Sequence, residues 1–258
     1  MAIMISKQLK KNYQLPNYPL LHFLIKLSPF RAAYRKKLAQ LLSKPKQECN
    51  IPCFIMNELE KAKEHFLMHK WVFVENVFEK KFYDLLVEEW PKRYFFHPLS
   101  NIYKSYDKGF KDSDDLYFSL NPVIRQVKNY LRSEEFVQRI TNLCADGMER
   151  KLFSFCLTQA YTHSSVIPHI DTIGGQPEGR YFINCVFFVN GTGGENAGGL
   201  CILKDSEFKE TIYEPTNLKN TLLIYRSDEP FYHGFKPMRR GSFRWTINSQ
   251  YCSKDFKN

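Results

Sequence analysis

The sequence predicts an α+β protein, helical in its first part and β-rich in its last. Three observations carry that expectation. Residues 57–68, 79–90, 122–131 and 133–144 read as helices, with a strand-like Trp71-Val72-Phe73-Val74 between the first two. From residue 151 onward come short apolar runs: Leu157 to Tyr161, Gly179 to Asn190, Gly198 to Leu203, Asn220 to Tyr225 and Phe243 to Tyr251. Gly, Pro, Asn and Asp separate them, which is the pattern of an all-β sandwich or barrel. The third observation is charge gathered at one end of the chain.

Residues 1–50 hold ten Lys/Arg and one acid, Glu48, for a net +9; the remaining 208 hold 27 basic and 26 acidic residues, net +1. Within this extension, Pro19 to Leu27 and Phe30 to Leu42 set apolar residues at helical spacing beside basic ones. Such a segment can lie on an anionic bilayer, so residues 17–42 are expected to make a peripheral contact with a membrane surface. The alternative is a basic helix packed on the rest of the protein with its charged face in water. Nucleic acid is an unlikely partner in this reading, because aromatic and basic residues do not recur as a stacking platform. Met1 to Lys11 shows no long apolar core of a secretory signal, and no run of 18 apolar residues occurs. Seven cysteines, an odd number scattered through apolar segments, fit reduced thiols and a cytoplasmic protein, at most peripheral on a membrane's inner face. Neither internal repeats nor low-complexity segments appear.

Residues 51–150 read as mostly helical support, and 151–258 as the β-rich core, with 51–258 forming one domain. In this support region His65 and His69 stand four apart on a helix, but the glutamate a zinc protease needs between them is missing, so they are read as a helix face. Cys49 and Cys53 have no second pair to complete a zinc site. Pro91 to Lys111 is rich in aromatic and basic residues.

The chemistry concentrates between His169 and Arg244. In His169-Ile170-Asp171 the two polar residues stand two apart, and alternate side chains of an extended strand share a face, so both can reach one ion. His233 is the candidate third ligand, since two imidazoles and one carboxylate on one face of an iron(II) ion leave positions open for a cosubstrate and dioxygen. A lone His-x-Asp pair is weak evidence, equally a structural histidine and a turn aspartate; its setting among successive strands gives it weight. Arg244, eleven residues after His233, begins the last strand, and its planar fork of donors matches a carboxylate bidentately. Arg239 and Arg240 are nearer to His233 but lie in Met238-Arg239-Arg240-Gly241-Ser242, which reads as a solvated turn. Strand parity groups Arg244 with Thr246 and Asn248, Asn184 with Phe188, and Gln159 with Tyr161.

Residues 150–252 resemble, in order, the iron(II)/2-oxoglutarate-dependent dioxygenases in their prolyl-4-hydroxylase-like branch. The resemblance rests on Tyr161 ahead of His169-x-Asp171, the strand from Gly179-Arg180 to Asn190, Gly198-Gly199, Leu222 to Ser227, His233-Gly234-Phe235-Lys236-Pro237 and Arg244 to Asn248. It implies a double-stranded β-helix (jelly roll) core with bracing helices, and residues 91–111 resemble the variable segment that roofs the pocket in such enzymes. It also implies iron held by His169, Asp171 and His233, and 2-oxoglutarate whose distal carboxylate meets Arg244, with O2 as the second cosubstrate and ascorbate as an accessory reductant. Tyr161, Asn184 and Thr246 are expected to help bind the cosubstrate. Where many relatives carry a Tyr for the distal carboxylate, this chain has Phe188, which leaves Arg244 less help.

The reaction so implied is hydroxylation of a substrate C–H bond. A sugar of an anionic membrane glycolipid, such as the Kdo of lipopolysaccharide, suits the basic amino terminus; a prolyl or other protein side chain is the alternative within the class. A nucleic-acid demethylase of the same superfamily is disfavoured because such enzymes carry two arginines on the last strand, where this chain has one. A non-catalytic membrane or protein adaptor is the remaining alternative.

Overall fold

The computed structural model describes residues 57–91, 97–98, 103–104, 108–111, 121–171, 181–228 and 231–256. The basic extension, Cys49 and Cys53, and most of the expected roof lie outside these residues. The chain divides into two compact units, residues 1–50 with 113–128 and residues 51–112 with 129–258. The second holds both sheets and every candidate site residue.

The helices begin where capping chemistry places them. Helix α1 (Asn57–Lys61) and α2 (Lys63–His69) are separated at Ala62, so the segment expected as one helix is two. Glu79 caps α3 (Lys80–Glu88) by accepting from the N–H groups of Lys81 and Phe82, satisfying donors the first turn leaves over. α4 spans Pro122–Arg132. Ser133 caps α5 (Glu134–Cys144), its hydroxyl accepting from the Phe136 N–H, and Ala145 in the left-handed region ends it.

Two antiparallel sheets form the double-stranded β-helix. The wide sheet runs β1 (Trp71–Glu75), β10 (Thr221–Ser227), β7 (Phe182–Gly191), β12 (Phe243–Ser253), β5 (Arg150–Tyr161), β4 (Lys108–Lys111), β2 (His97–Pro98). The narrow sheet runs β3 (Tyr103–Lys104), β6 (Ser165–His169), β11 (Tyr232–Phe235), β8 (Cys201–Leu203), β9 (Thr211–Tyr213). The described pieces of the expected roof thus extend the sheets at one edge, β4 and then β2 beyond β5, and β3 beyond β6.

Alternation along the central strands sorts side chains into two faces. On the outer face Phe136 of α5 meets Phe187 at 6.4 Å and Tyr251 at 5.8 Å between ring centroids, and the Tyr251 hydroxyl donates to the Leu131 carbonyl. Trp90, just past α3, stacks on Trp245 at 5.8 Å with a 6° interplanar angle. Phe136 is fully buried, so trimming it to Ala would cost about 3–5 kcal/mol. The inner face carries two apolar clusters. One gathers Ala160, Val186, Phe188, Leu223, Phe235 and their neighbours; the other gathers Phe182, Cys252 and Phe256 against Phe153. By strand position a polar row lies between them. Gln250 pairs with Ser154 on one side and Asn184 on the other, and Asn184 pairs with Tyr225, which pairs with Trp71.

Candidate metal centre

Two strands of the narrow sheet bring the imidazoles together. His169 ends β6 and is the direct register partner of His233 on β11, with ring centroids 4.2 Å apart. Gly234, next along β11, allows that pairing, since a Cβ there would stand 2.7 Å from the Val166 carbonyl oxygen. Asp171 lies just beyond β6 rather than inside a strand, and its backbone N–H donates to Ser227 Oγ at 2.8 Å, which draws it toward the wide sheet.

The ligand atoms converge. Asp171 Oδ1 is 3.3 Å from His169 Nε2, and Asp171 Oδ2 is 3.6 Å from His233 Nε2. One ligand atom from each residue lies within 4.8 Å of the others. Neighbouring donors on an ion with bonds of about 2.1 Å stand about 3 Å apart, so small rotations complete a three-point set. Tautomers agree with this. His169 Nδ1 stands 2.8 Å from the Ile167 carbonyl, where it donates, leaving the Nε2 lone pair for an ion. Burial lowers the pKa of His233 to about 4, more than Asp171 raises it, so the ring is neutral with a lone pair to give. Burial opposes the charge on Asp171, but the two imidazoles and the Asn184 amide outweigh it and hold the carboxyl well below its ordinary range. For His169, burial is outweighed by the adjacent Asp171, and its pKa is raised. No Lys or Arg pairs with Asp171 among the described residues, so the carboxylate faces only imidazoles and amides. The donor set fits a divalent cation.

Arg244 is 3% exposed and lies on the inner face, opposite Ala160. Its Nη1 donates to the Gly198 carbonyl at 2.8 Å, and its guanidinium carbon lies 4.0 Å from the Phe235 ring centroid. Gly198 adopts φ +93°, and a Cβ there would come 3.0 Å from Arg244 Cδ and 2.9 Å from Met238 Sδ, so glycine alone lets the loop reach the arginine. Arg239 donates to the Gly193 carbonyl at an exposed position, and Arg240 is exposed.

The three auxiliary residues fall differently. Tyr161 shares a face with Gln159, as parity requires, but that is the outer face: Arg244 pairs with Ala160, whereas Tyr161 pairs with Phe243, and its hydroxyl donates to Gln159 Oε1 at 2.7 Å. Tyr161 therefore does not line the space that Arg244 faces. Asn184 is on the inner face, and its Nδ2 donates to Asp171 Oδ2 at 2.6 Å, which makes it a partner of the metal ligand. Thr246 is fully buried on the inner face and shares a hydrogen bond with the Thr158 hydroxyl. Phe188 is fully buried in the larger inner cluster and offers Arg244 no polar group. Gln250, which sequence reasoning passed over, also donates to Asp171 Oδ2, at 3.1 Å. The only signal for it was parity, two positions beyond Asn248 on the face of Arg244. His65 and His69 are in ring contact at 4.4 Å on α2, both exposed, with no third ligand among the described residues.

Comparison with known proteins bears on this geometry. A family model described as the 2OG-Fe(II) oxygenase superfamily matches residues 156–251. Those 96 of the chain's 258 residues carry its likeness to that superfamily. Curated protein sequences show no match. Among solved structures, the oxygenase fold resembles a Pseudomonas putida prolyl-4-hydroxylase at 16% identity and TM-score 0.52, over 77% of this chain and 100% of that one. It also resembles a prolyl 4-hydroxylase from Phytophthora capsici at 14% identity and TM-score 0.57, over 81% and 69%. A third likeness is HygX from Streptomyces hygroscopicus, solved with nickel, 2-oxoglutarate and hygromycin B, at 10% identity and TM-score 0.55, over 79% and 89%. Iron(II) and 2-oxoglutarate are thus the cofactors of this oxygenase core, and His169, Asp171 and His233 are the residues fitted to hold the metal.

Proposed function

We propose that the protein is an Fe(II)- and 2-oxoglutarate-dependent dioxygenase that hydroxylates a C–H bond of its substrate. The observation that carries this is the meeting of His169, Asp171 and His233 in a barrel that also turns the buried Arg244 inward. When bound, iron with 2-oxoglutarate and O2 supplies the oxidation, and 2-oxoglutarate leaves as succinate and CO2. The chain supplies placement. Neutral His233 and the Nε2 tautomer of His169 present lone pairs, and Asp171 presents charge. Arg244, already oriented by Gly198 and Phe235, presents a bidentate donor pair to the distal carboxylate of the cosubstrate. The wall of Val186, Phe188, Leu223 and Phe235 keeps water out of the space beside it. With Phe188 in that wall, hydrogen bonds to the distal carboxylate fall chiefly to Arg244.

For the substrate we favour a sugar of an anionic membrane glycolipid such as the Kdo of lipopolysaccharide, reached from the cytoplasmic side by a protein resting on the bilayer through residues 17–42. The net +9 of residues 1–50 supports it, as does the fold shared with HygX, which was solved with hygromycin B. A protein side chain is the second reading, favoured by the fold shared with prolyl-4-hydroxylases. No helix among the described residues is long and apolar enough to cross a membrane. The test is succinate release from 2-oxoglutarate with Fe(II), with ascorbate present. It should be stimulated by Kdo-containing glycolipid and lost in His169→Ala. Stimulation by proline-containing peptides instead would select the second reading, and no Fe(II)-dependent succinate under any condition would leave a non-catalytic adaptor.

A further inference from the structure

Asp171 has two carboxylate oxygens, and the protein treats them differently. Oδ1 faces His169 Nε2 at 3.3 Å, while Oδ2 stands farther from its nearer imidazole nitrogen, 3.6 Å from His233 Nε2. Oδ2 receives two side-chain amides, Asn184 Nδ2 at 2.6 Å and Gln250 Nε2 at 3.1 Å. The Gln250 amide is oriented, not merely near. Its Oε1 accepts from Ser154 Oγ at 2.8 Å, so the NH2 end must point at Asp171. Ser154, Gln250 and Asn184 sit side by side on β5, β12 and β7, in direct register, at the centre of the wide sheet. The position of this relay is therefore fixed by backbone pairing on both sides.

We infer that Gln250, set by Ser154 and acting with Asn184, is a positioning residue that occupies Asp171 Oδ2 and so leaves only Oδ1 for the metal. The inference rests on the metal-centre reading above and adds a role for residues that reading does not use. Two imidazoles and a one-point carboxylate would hold an ion by three protein atoms and would leave its remaining positions to a cosubstrate and O2. A two-point carboxylate would fill one of those positions. A carboxylate held by two donors that carry no charge keeps its full negative charge for the ion, which a lysine or arginine in either place would neutralise. The relay thus fixes ligand number without lowering ligand charge.

The test uses the full-length protein with Co(II) as the probe, read by calorimetry for affinity and by visible absorption for coordination number. Gln250→Leu and the more nearly isosteric Gln250→Met should each weaken Co(II) binding about 10-fold, within the range found when a ligand's outer partner is removed. Both should also change the visible spectrum, because Oδ2, held by Asn184 alone, gains freedom to turn toward the ion. Ser154→Ala should shift both readings in the same direction by less, since it releases the glutamine without removing it. Thermal unfolding of the metal-free variants identifies any that fail to fold, and Gln250→Met, which keeps the volume, then decides. A folded Gln250→Met with wild-type affinity and an unchanged spectrum overturns the positioning role while the metal centre stands. Wild-type protein that binds no Co(II) overturns both.

Discussion

Two aspartates in this molecule have partly covered side chains, 19% exposed at Asp146 and 21% at Asp171, and their surroundings are opposite. Asp146 sits against the Arg150 guanidinium, whose side chain is 2% exposed, and also receives the Tyr181 hydroxyl. Burial works against its charge, but Arg150 and Tyr181 hold its pKa down to about 2. The Arg226 guanidinium carbon lies 3.7 Å from the Tyr181 ring centroid and pairs with Asp228, so the cluster is internally balanced. Among the described residues Asp171 has no such cation, only imidazoles and the amides of Asn184 and Gln250. The first is a finished ion pair; the second is a carboxylate held by neutral groups, as a metal ligand would be. What distinguishes the candidate site from the structural ion pair here is the kind of partner, imidazole and amide against guanidinium.

That contrast can be broken from either end. The largest effect should come from Asp171→Ala or His233→Ala, which should lower Co(II) affinity beyond calorimetric detection and reduce 2-oxoglutarate turnover to background. Measurable Co(II) binding by both variants would move the metal elsewhere. Arg244→Leu comes next. Losing charge-assisted hydrogen bonds worth about 2–3 kcal/mol should raise the 2-oxoglutarate KM about 30- to 150-fold, while Co(II) affinity stays near wild type. A parallel loss of metal binding would show that Arg244 supports the centre rather than the cosubstrate.

Stability measurements sharpen the same contrast. Co(II) at 100 times its Kd should stabilise the wild type by about 2.7 kcal/mol, a rise of about 5–10 °C in Tm, and should leave Asp171→Ala unmoved. Asp146→Asn should destabilise by about 2–3 kcal/mol, because it strands the buried Arg150, and Co(II) affinity should not change. The smallest effect is its pH signature. A carboxyl held below its unfolded value near 4 favours the fold when charged, so this contribution is complete above about pH 4 and disappears as pH falls through about 2. Acid unfolding of Asp146→Asn should therefore lack that component, and an acid limb identical to wild type would remove Asp146 from the account.

Much of this was legible in the residue order, for identifiable reasons. Helix starts at Glu79 and Ser133 are local chemistry, a side-chain acceptor followed by orphan N–H groups, and locality is what a sequence displays. The pair at His169 and Asp171, and the strand carrying Arg244, follow from two-residue periodicity. Periodicity gives which residues share a face but not which face is inside. Parity therefore puts Tyr161 with Gln159 but cannot show that the pair faces out, away from the pocket. Asn184 and Gln250 needed more. Their meeting on one carboxylate depends on the register of β5, β12 and β7, and β12 shifts register twice, at Trp245/Thr246 against β7 and at Gln250/Tyr251 against β5. Such offsets have no local signature.

The pairing of His169 opposite His233 has a further consequence for how the chain reaches this state. The two residues are 64 positions apart (233 − 169 = 64) yet are direct partners between adjacent strands. An ion gripping both closes that long segment as a clip would, and closing long segments is where a cross-link gains most. A slip of one residue between β6 and β11 would turn one imidazole to the opposite side of the sheet. A slipped chain could then no longer grip the ion, so metal capture would proofread strand alignment as well as equip the protein for chemistry.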